Sequence, residues 1–152
     1  MKNKIIIIII FIILIFTYSN YFNKHEKNII KIIQANKLIE KLKNGDKIFI
    51  FDVRDERFFK FEHIKNAKSF PYINFQKLKT KFIKKFKPND MIVLYCDSSV
   101  CSLSYYTAIE LIKLGYKNVF ILKGGIDEWE KKSYPIFNFY GNSNASNAKP
   151  LQ

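Results

Sequence analysis

The sequence predicts an α/β domain built on a largely parallel sheet. Three observations lead there. Short apolar runs rich in β-branched and aromatic residues recur at KIFIFDV (47–53), MIVLY (91–95) and VFIL (119–122). Each is too continuous to have one polar face, as expected of a strand covered on both sides. Segments with apolar residues at helical spacing lie between them, and strand alternating with helix is the pattern of βαβ units.

The chain has 152 residues, room for one domain with a real core plus appendages. It opens with MKNK and then an unbroken apolar run, Ile5–Phe16. Carried through Phe22, the stretch contains no charge and as a helix would span about 27 Å, near the hydrocarbon thickness of a bilayer. Tyr18, Tyr21 and Phe22 would supply an aromatic belt. Residues 1–22 are therefore read as an N-terminal transmembrane helix, an uncleaved single-pass anchor. A cleaved signal peptide competes with this reading but lacks a small-x-small cleavage site, and no cysteine follows the run to carry a lipid. Lys2 and Lys4 precede the run, and Lys24, Lys27 and Lys31 follow it, so the charges that set orientation nearly balance. A short basic start before an apolar run is the usual export pattern, which places the soluble domain on the extracytoplasmic side.

Residues 23–32 read as a connector and 33–137 as the domain. QANKLIEKLKNGD (34–46) sets Leu38, Ile39 and Leu42 on one helical face and stops at NGD. After the first strand, 54–64 reads as a loop with one helical turn, and 67–71 as a short extended piece closed by Pro71. Phe75, Leu78, Phe82 and Phe86 recur at helical spacing over 73–86. KPND (87–90) is a turn. A helix follows the second strand from about Ser102 to Leu114, stopped by Gly115. KGGIDEWEKK (123–132) is a glycine turn into a short helix. The stretch 138–152, ending in NSNASNAKPLQ, reads as a polar disordered tail.

The formal net charge is +13, from 26 basic residues of which only Arg54 and Arg57 are arginine. Ile, Lys, Asn and Phe together exceed half of the chain, a skew typical of AT-rich coding rather than of a binding surface. Nucleic-acid readers use arginine for bidentate contacts, so specific nucleic-acid binding is not expected. The charge favours weak adhesion to anionic lipid.

The only two cysteines, Cys96 and Cys101, share one turn, YCDSSVCS (95–102). Two cysteines make at most one bridge or one reactive site. In open parallel sheets, ligands bind beyond the carboxyl ends of the strands, and the three strong strands end at Asp52, at Tyr95 and before Lys123–Gly124. Cys96 thus stands on the expected functional rim, at the entry to a helix whose N-terminal amides favour an anion such as a thiolate. A cysteine packed as a small hydrophobe is the plainer alternative. Cysteine phosphatase chemistry is excluded because its C-x-x-x-x-x-R would need arginine where Ser102 stands. Cys96, Cys101, His25 and His63 show no zinc-type spacing, and no metal or cofactor is expected.

Taken in order, these segments resemble the rhodanese homology domain. IFDVRDERFFKFEHIKNAKSFP is similar to that family's IDVR…E…GHIPGAINIP segment, MIVLYCDSSVCS to its strand and active-site loop, and ELIKLGYKNVFILKGGIDEWEKKSYPI to its L…GY.NV..L.GG…W…G.P ending. The resemblance covers about residues 33–137. It implies a three-layer fold with a central parallel sheet flanked by helices, and a sulfurtransferase mechanism. Cys96 would attack the outer sulfur of a persulfide or thiosulfate donor, form a persulfide, and pass the sulfur to a thiol acceptor. The active-site loop would be Asp97, Ser98, Ser99, Val100, Cys101 and Ser102. Asp52, Arg54 and His63 would support it, His63 as a hydrogen-bonded scaffold residue, and Trp129 of the GG…W ending would pack in the core.

The loop departs from the family's C-x-x-G-x-R: Ser99 replaces the glycine, Cys101 replaces the arginine, and no arginine follows Arg57. Asp97 places a negative charge beside the thiol. Both changes count against thiosulfate and favour a thiol-bound persulfide donor. Three functions fit: a sulfurtransferase or persulfide carrier using Cys96, a thiol–disulfide module using Cys96 and Cys101, and a non-catalytic binding module at the membrane. The residues say nothing about oligomeric state.

Overall fold

The computed structural model describes residues 6–18 and 30–139. These divide into two units. In the first, residues 6–18 form a helix, α1. Its apolar side chains from Ile6 to Phe16 stand half or more exposed. It is about 20 Å long, and among the described residues no helix is long and apolar enough to cross a membrane. The anchor expected over 1–22 lies partly outside the described residues. So do Lys2, Lys4, Lys24 and Lys27, on which the orientation reading depends, and His25.

The second unit is the α/β domain. Its elements are β1 (Lys31–Ile33), α2 (Ala35–Lys43), β2 (Ile48–Asp52), α3 (Glu56–Phe61), β3 (Glu62–Ile64), β4 (Lys68–Ser69), α4 (Phe75–Lys85), β5 (Met91–Tyr95), α5 (Leu103–Lys113), β6 (Val119–Leu122), α6 (Gly125–Lys131) and β7 (Ile136–Asn138), with one 3₁₀ turn at Tyr72–Asn74. Five strands form one sheet in the order β1-β6-β5-β2-β4, and every pairing in it is parallel. The expected parallel sheet is therefore present, with helices flanking it. β5 is the central strand. Ile92, Val93, Leu94 and Tyr95 are each fully buried, because neighbours occupy both edges and side chains cover both faces. That is the physical meaning of an apolar run without alternation.

The helices fit their sequence signals. Leu38 and Ile39 are buried on α2, and the chain turns at Gly45, with φ 79°. Phe75 and Phe82 of α4 and Phe86 at its end are buried. Phe82 packs its ring against Phe51, Phe70, Phe86 and Tyr116, with centroids 4.7–5.3 Å apart. In a separate core cluster, Leu38, Ile50, Val93, Tyr95, Ile126 and Trp129 pack together, and Trp129 Nε1 donates to Pro135 O at 3.1 Å.

Three elements depart from the expectations. β1 begins at Lys31, within the stretch read as connector, and pairs with β6 as an edge strand. The segment read as a loop with a helical turn holds α3 and then β3, which pairs antiparallel with β7. β7 carries the domain through Asn138, and Phe139 N donates to Phe61 O at 2.8 Å, so the stretch 138–152 read as a tail starts inside ordered structure. Residues 140–152 lie outside the described ones. All three strands have three residues, too short for a period, and their partners are distant in sequence. Only tertiary pairing defines them.

Phe82→Ala removes the ring at the centre of the aromatic cluster. We expect it to destabilise the domain by about 3–5 kcal/mol in urea unfolding, whereas Ile73→Ala, at a residue 81% exposed, should change stability by less than about 0.5 kcal/mol.

Candidate active site

Parallel strands deliver their carboxyl ends to one edge, so the register decides what meets there. Asp52 at the end of β2 lies opposite Tyr95 at the end of β5, and Cys96 is the next residue. Asp52 is completely buried and Arg54 is 2% exposed. Arg54 Nε donates to Asp52 Oδ1 at 3.0 Å and Nη2 to Oδ2 at 2.8 Å, and Arg54 N donates to Oδ1 at 2.9 Å. The same Nη2 donates to Glu62 O at 2.8 Å, and Nη1 reaches Asp97 Oδ1 at 3.3 Å. One guanidinium therefore ties the end of β2, the start of β3 and the cysteine loop. Burial by itself would lower the Arg54 pKa, but the hydrogen bonds and charge of Asp52 outweigh it and raise it, so the cation is permanent. Tyr95 OH accepts a hydrogen bond from Ile64 N at 3.1 Å. Burial, reinforced by the Asp52 charge, pushes the phenol far up and keeps it neutral.

The loop leaves β5 pinned on one side and open on the other. Ile126 N donates to Cys96 O and Asp127 N to Asp97 O, both at 3.0 Å. This contact requires the Gly124–Gly125 turn, with φ 76° and 60°, a region that side chains disfavour. A Cβ on Gly125 would lie 2.3 Å from Cys96 O and 2.5 Å from Asp97 O. Only glycine lets the β6–α6 turn reach the cysteine loop. Further along, Cys101 N donates to Ser98 O at 3.3 Å, Val100 is 91% exposed, and Ser102 caps α5 without a side-chain cap bond. The N-terminus of α5 therefore follows directly on Cys101, where its dipole favours negative sulfur.

Cys96 and Cys101 form a disulfide with their Cα atoms 6.1 Å apart, a separation usual for such bridges. Cys96 is 1% exposed and Cys101 is half-buried. The two sulfurs and the Asp97 carboxylate lie within 4.8 Å of one another, but with both sulfurs bridged neither is a thiolate ligand. Cys96 Sγ lies 3.8 Å from Asp97 Oδ2. The bare negative charge expected beside the thiol is thus one whose other oxygen faces Arg54.

His63 is held by backbone and aromatic contacts. Its Nδ1 donates to Phe59 O at 2.7 Å, and its ring stacks between Phe59 and Phe137 at 3.9 and 4.8 Å. Sequence reasoning missed a depression of about 260 Å³ beside the loop, lined by Gln34, Ser99, Lys123, Gly124, Glu128 and Lys132. Lys132 is 3.2 Å from Glu128. Lys123 directly follows β6, and that strand-end position was the available signal.

A family model described as the rhodanese-like domain matches residues 34–132. The chain belongs to the rhodanese-like domain family. Among relatives of this rhodanese-like domain, the thiosulfate sulfurtransferase GlpE of Coxiella burnetii is 35% identical over 83 residues, covering 55% of this chain and 72% of that protein. Among solved structures, the BH2092 protein of Bacillus halodurans superposes with a TM-score of 0.65 at 27% identity, over 82% of this chain and 86% of that one. A rhodanese-related protein from Thermoplasma volcanium gives 0.58 at 25% identity, over 70% and 97%. A thiosulfate sulfurtransferase from Pseudomonas aeruginosa, at 22% identity over 71% of this chain and 20% of that one, shares the fold with a TM-score of 0.62.

The Asp52–Arg54 pair supports the rhodanese-like loop, and removing one partner leaves a buried charge. Arg54→Ala should cost about 3–5 kcal/mol in denaturant unfolding. Arg54→Lys should recover only part of this, because an ammonium cannot reproduce the planar fork.

Proposed function

We propose that this rhodanese-like domain is a sulfurtransferase or persulfide carrier acting through Cys96. The observation that carries the reading is the seat of Cys96. It is the first residue past the central strand, pinned through its own carbonyl by Ile126 N, at the entry to α5 and beside the Arg54 clamp. In the reduced state the Cys96 thiolate attacks the outer sulfur of a persulfide donor, the donor leaves as a thiol, and a thiol acceptor takes the sulfur. The adjoining loop, Asp97, Ser98, Ser99, Val100, Cys101 and Ser102, shapes the site. Asp52 and Arg54 hold it, and His63 braces the scaffold. Thiosulfate is the poorer donor, because Cys101 stands where the family's arginine would meet an anion; a persulfide of an organic thiol needs no such cation. No cofactor enters this chemistry.

A second reading, a thiol–disulfide module, is favoured by one specific observation, the Cys96–Cys101 bridge itself. Mass spectrometry separates the two. After full reduction and exposure to glutathione persulfide, a Cys101→Ser chain should gain about 32 Da on Cys96, and a chain carrying both Cys96→Ser and Cys101→Ser should gain nothing. Absence of the adduct from Cys101→Ser would overturn the persulfide reading in favour of the redox module or a non-catalytic binding module.

The apolar N-terminal segment attaches the domain to a membrane, with the domain on the extracytoplasmic side. The support is the exposed apolar surface of α1 together with the net charge of +13. The full chain should float with vesicles of phosphatidylcholine and phosphatidylglycerol. A chain with Ile8→Asp and Ile12→Asp should stay below, since each aspartate costs about 3 kcal/mol in an apolar helix centre.

A further inference from the structure

We infer that the loop's own Cys101 is the acceptor for sulfur bound on Cys96, so that the domain reduces sulfane sulfur and releases it as hydrogen sulfide. This rests on the persulfide reading of Cys96. What carries it is reach. The folded domain brings Cys101 Sγ into bonding distance of Cys96 Sγ, since the two are bridged. Any electrophilic sulfur carried on Cys96 therefore has a nucleophile waiting within the same turn. An intramolecular partner of this kind outcompetes a dissolved thiol by a large effective concentration.

Electrostatics work in the same direction. Asp97 Oδ2 lies 3.8 Å from Cys96 Sγ, and a carboxylate beside an anionic persulfide disfavours the charged form. A neutral disulfide with a departing anion relieves that repulsion. Arg54 holds Asp97 through its other oxygen, Oδ1, so the carboxylate stays in place as the sulfur changes state.

The step balances without an added oxidant. Cys96 thiolate first takes the outer sulfur of a low-molecular-weight persulfide, and the donor leaves as its thiol. Cys101 then loses its proton to solvent and attacks Cys96 Sγ. The bond from Cys96 Sγ to the terminal sulfur breaks, and its electron pair leaves with that sulfur as hydrosulfide. The terminal sulfur gains two electrons and the two cysteine sulfurs together lose two, which forms the bridge. A dithiol reductant returns two electrons and two protons and opens the bridge for the next cycle. The disulfide is in this sense the product state of one turnover.

The test is a single turnover on the full chain, reduced, freed of reductant and mixed with one equivalent of glutathione persulfide. Sulfide is measured colorimetrically and the protein by intact mass. The natural sequence should release about one sulfide per chain and end about 2 Da lighter than its reduced form, with no free thiol. Cys101→Ser should instead hold about 32 Da on Cys96 and release at least tenfold less sulfide. If the natural sequence also retains the added sulfur and releases no more sulfide than Cys101→Ser, the inference falls while the persulfide reading stands. If Cys101→Ser releases sulfide as fast, without the adduct, sulfide arises from attack on the donor's inner sulfur and the inference falls. If Cys101→Ser neither loads nor releases sulfur, both fall together.

Discussion

The candidate site depends on one buried guanidinium. Arg54 meets three parts of the chain that are not adjacent in sequence: the carboxylate ending β2, the first carbonyl of β3 and the side chain after Cys96. Withdrawing two charges from water is expensive, and such a pair is tolerated only when its hydrogen bonds are nearly all made. Here Asp52 accepts from Arg54 Nε, Nη2 and N, and the remaining fork is directed outward to Glu62 O and Asp97. The fully buried partner, Asp52, anchors the cation. The 53%-exposed side chain of Asp97 contributes little energy of its own, and its importance is positional.

The cysteine loop is consequently held from two directions. Arg54 holds the Asp97 side chain, and the amides after the double-glycine turn hold the carbonyls of Cys96 and Asp97. Among the described residues nothing comparable restrains Ser99 and Val100, which are exposed. A turn fixed at its start and open at its crest can change the bonding of Cys101 without disturbing β5, whose four buried residues belong to the core. Changes at the cysteine pair and the stability of the sheet are thereby separated within a few residues.

Much of this was legible in the sequence where a long local signal existed. The parallel sheet followed from three apolar runs, and the rim position of Cys96 followed from where those runs end. The resemblance pointed to Asp52 and Arg54 as supports, but it carried nothing of their geometry. No pattern says that Arg54 reaches Asp97, because the two are brought together only by the pairing of β2 with β5. β1, β3 and β7 were hidden for a related reason: three residues carry no period, and each strand exists through a partner remote in the chain. The pair Gly124–Gly125 read as a turn; that it also presses on the cysteine loop could not be seen without the close approach to Cys96 O.

The double glycine has a wider consequence. The chain has just 5 glycines and two arginines. Arg57 sits on the surface, 86% exposed along its side chain, where lysine would serve. Gly124, Gly125 and Arg54 occupy places where a common substitute would collide or leave a charge bare. Substitution at any of these three therefore reaches the cysteine loop, from the β6–α6 turn at the glycines and from the end of β2 at Arg54.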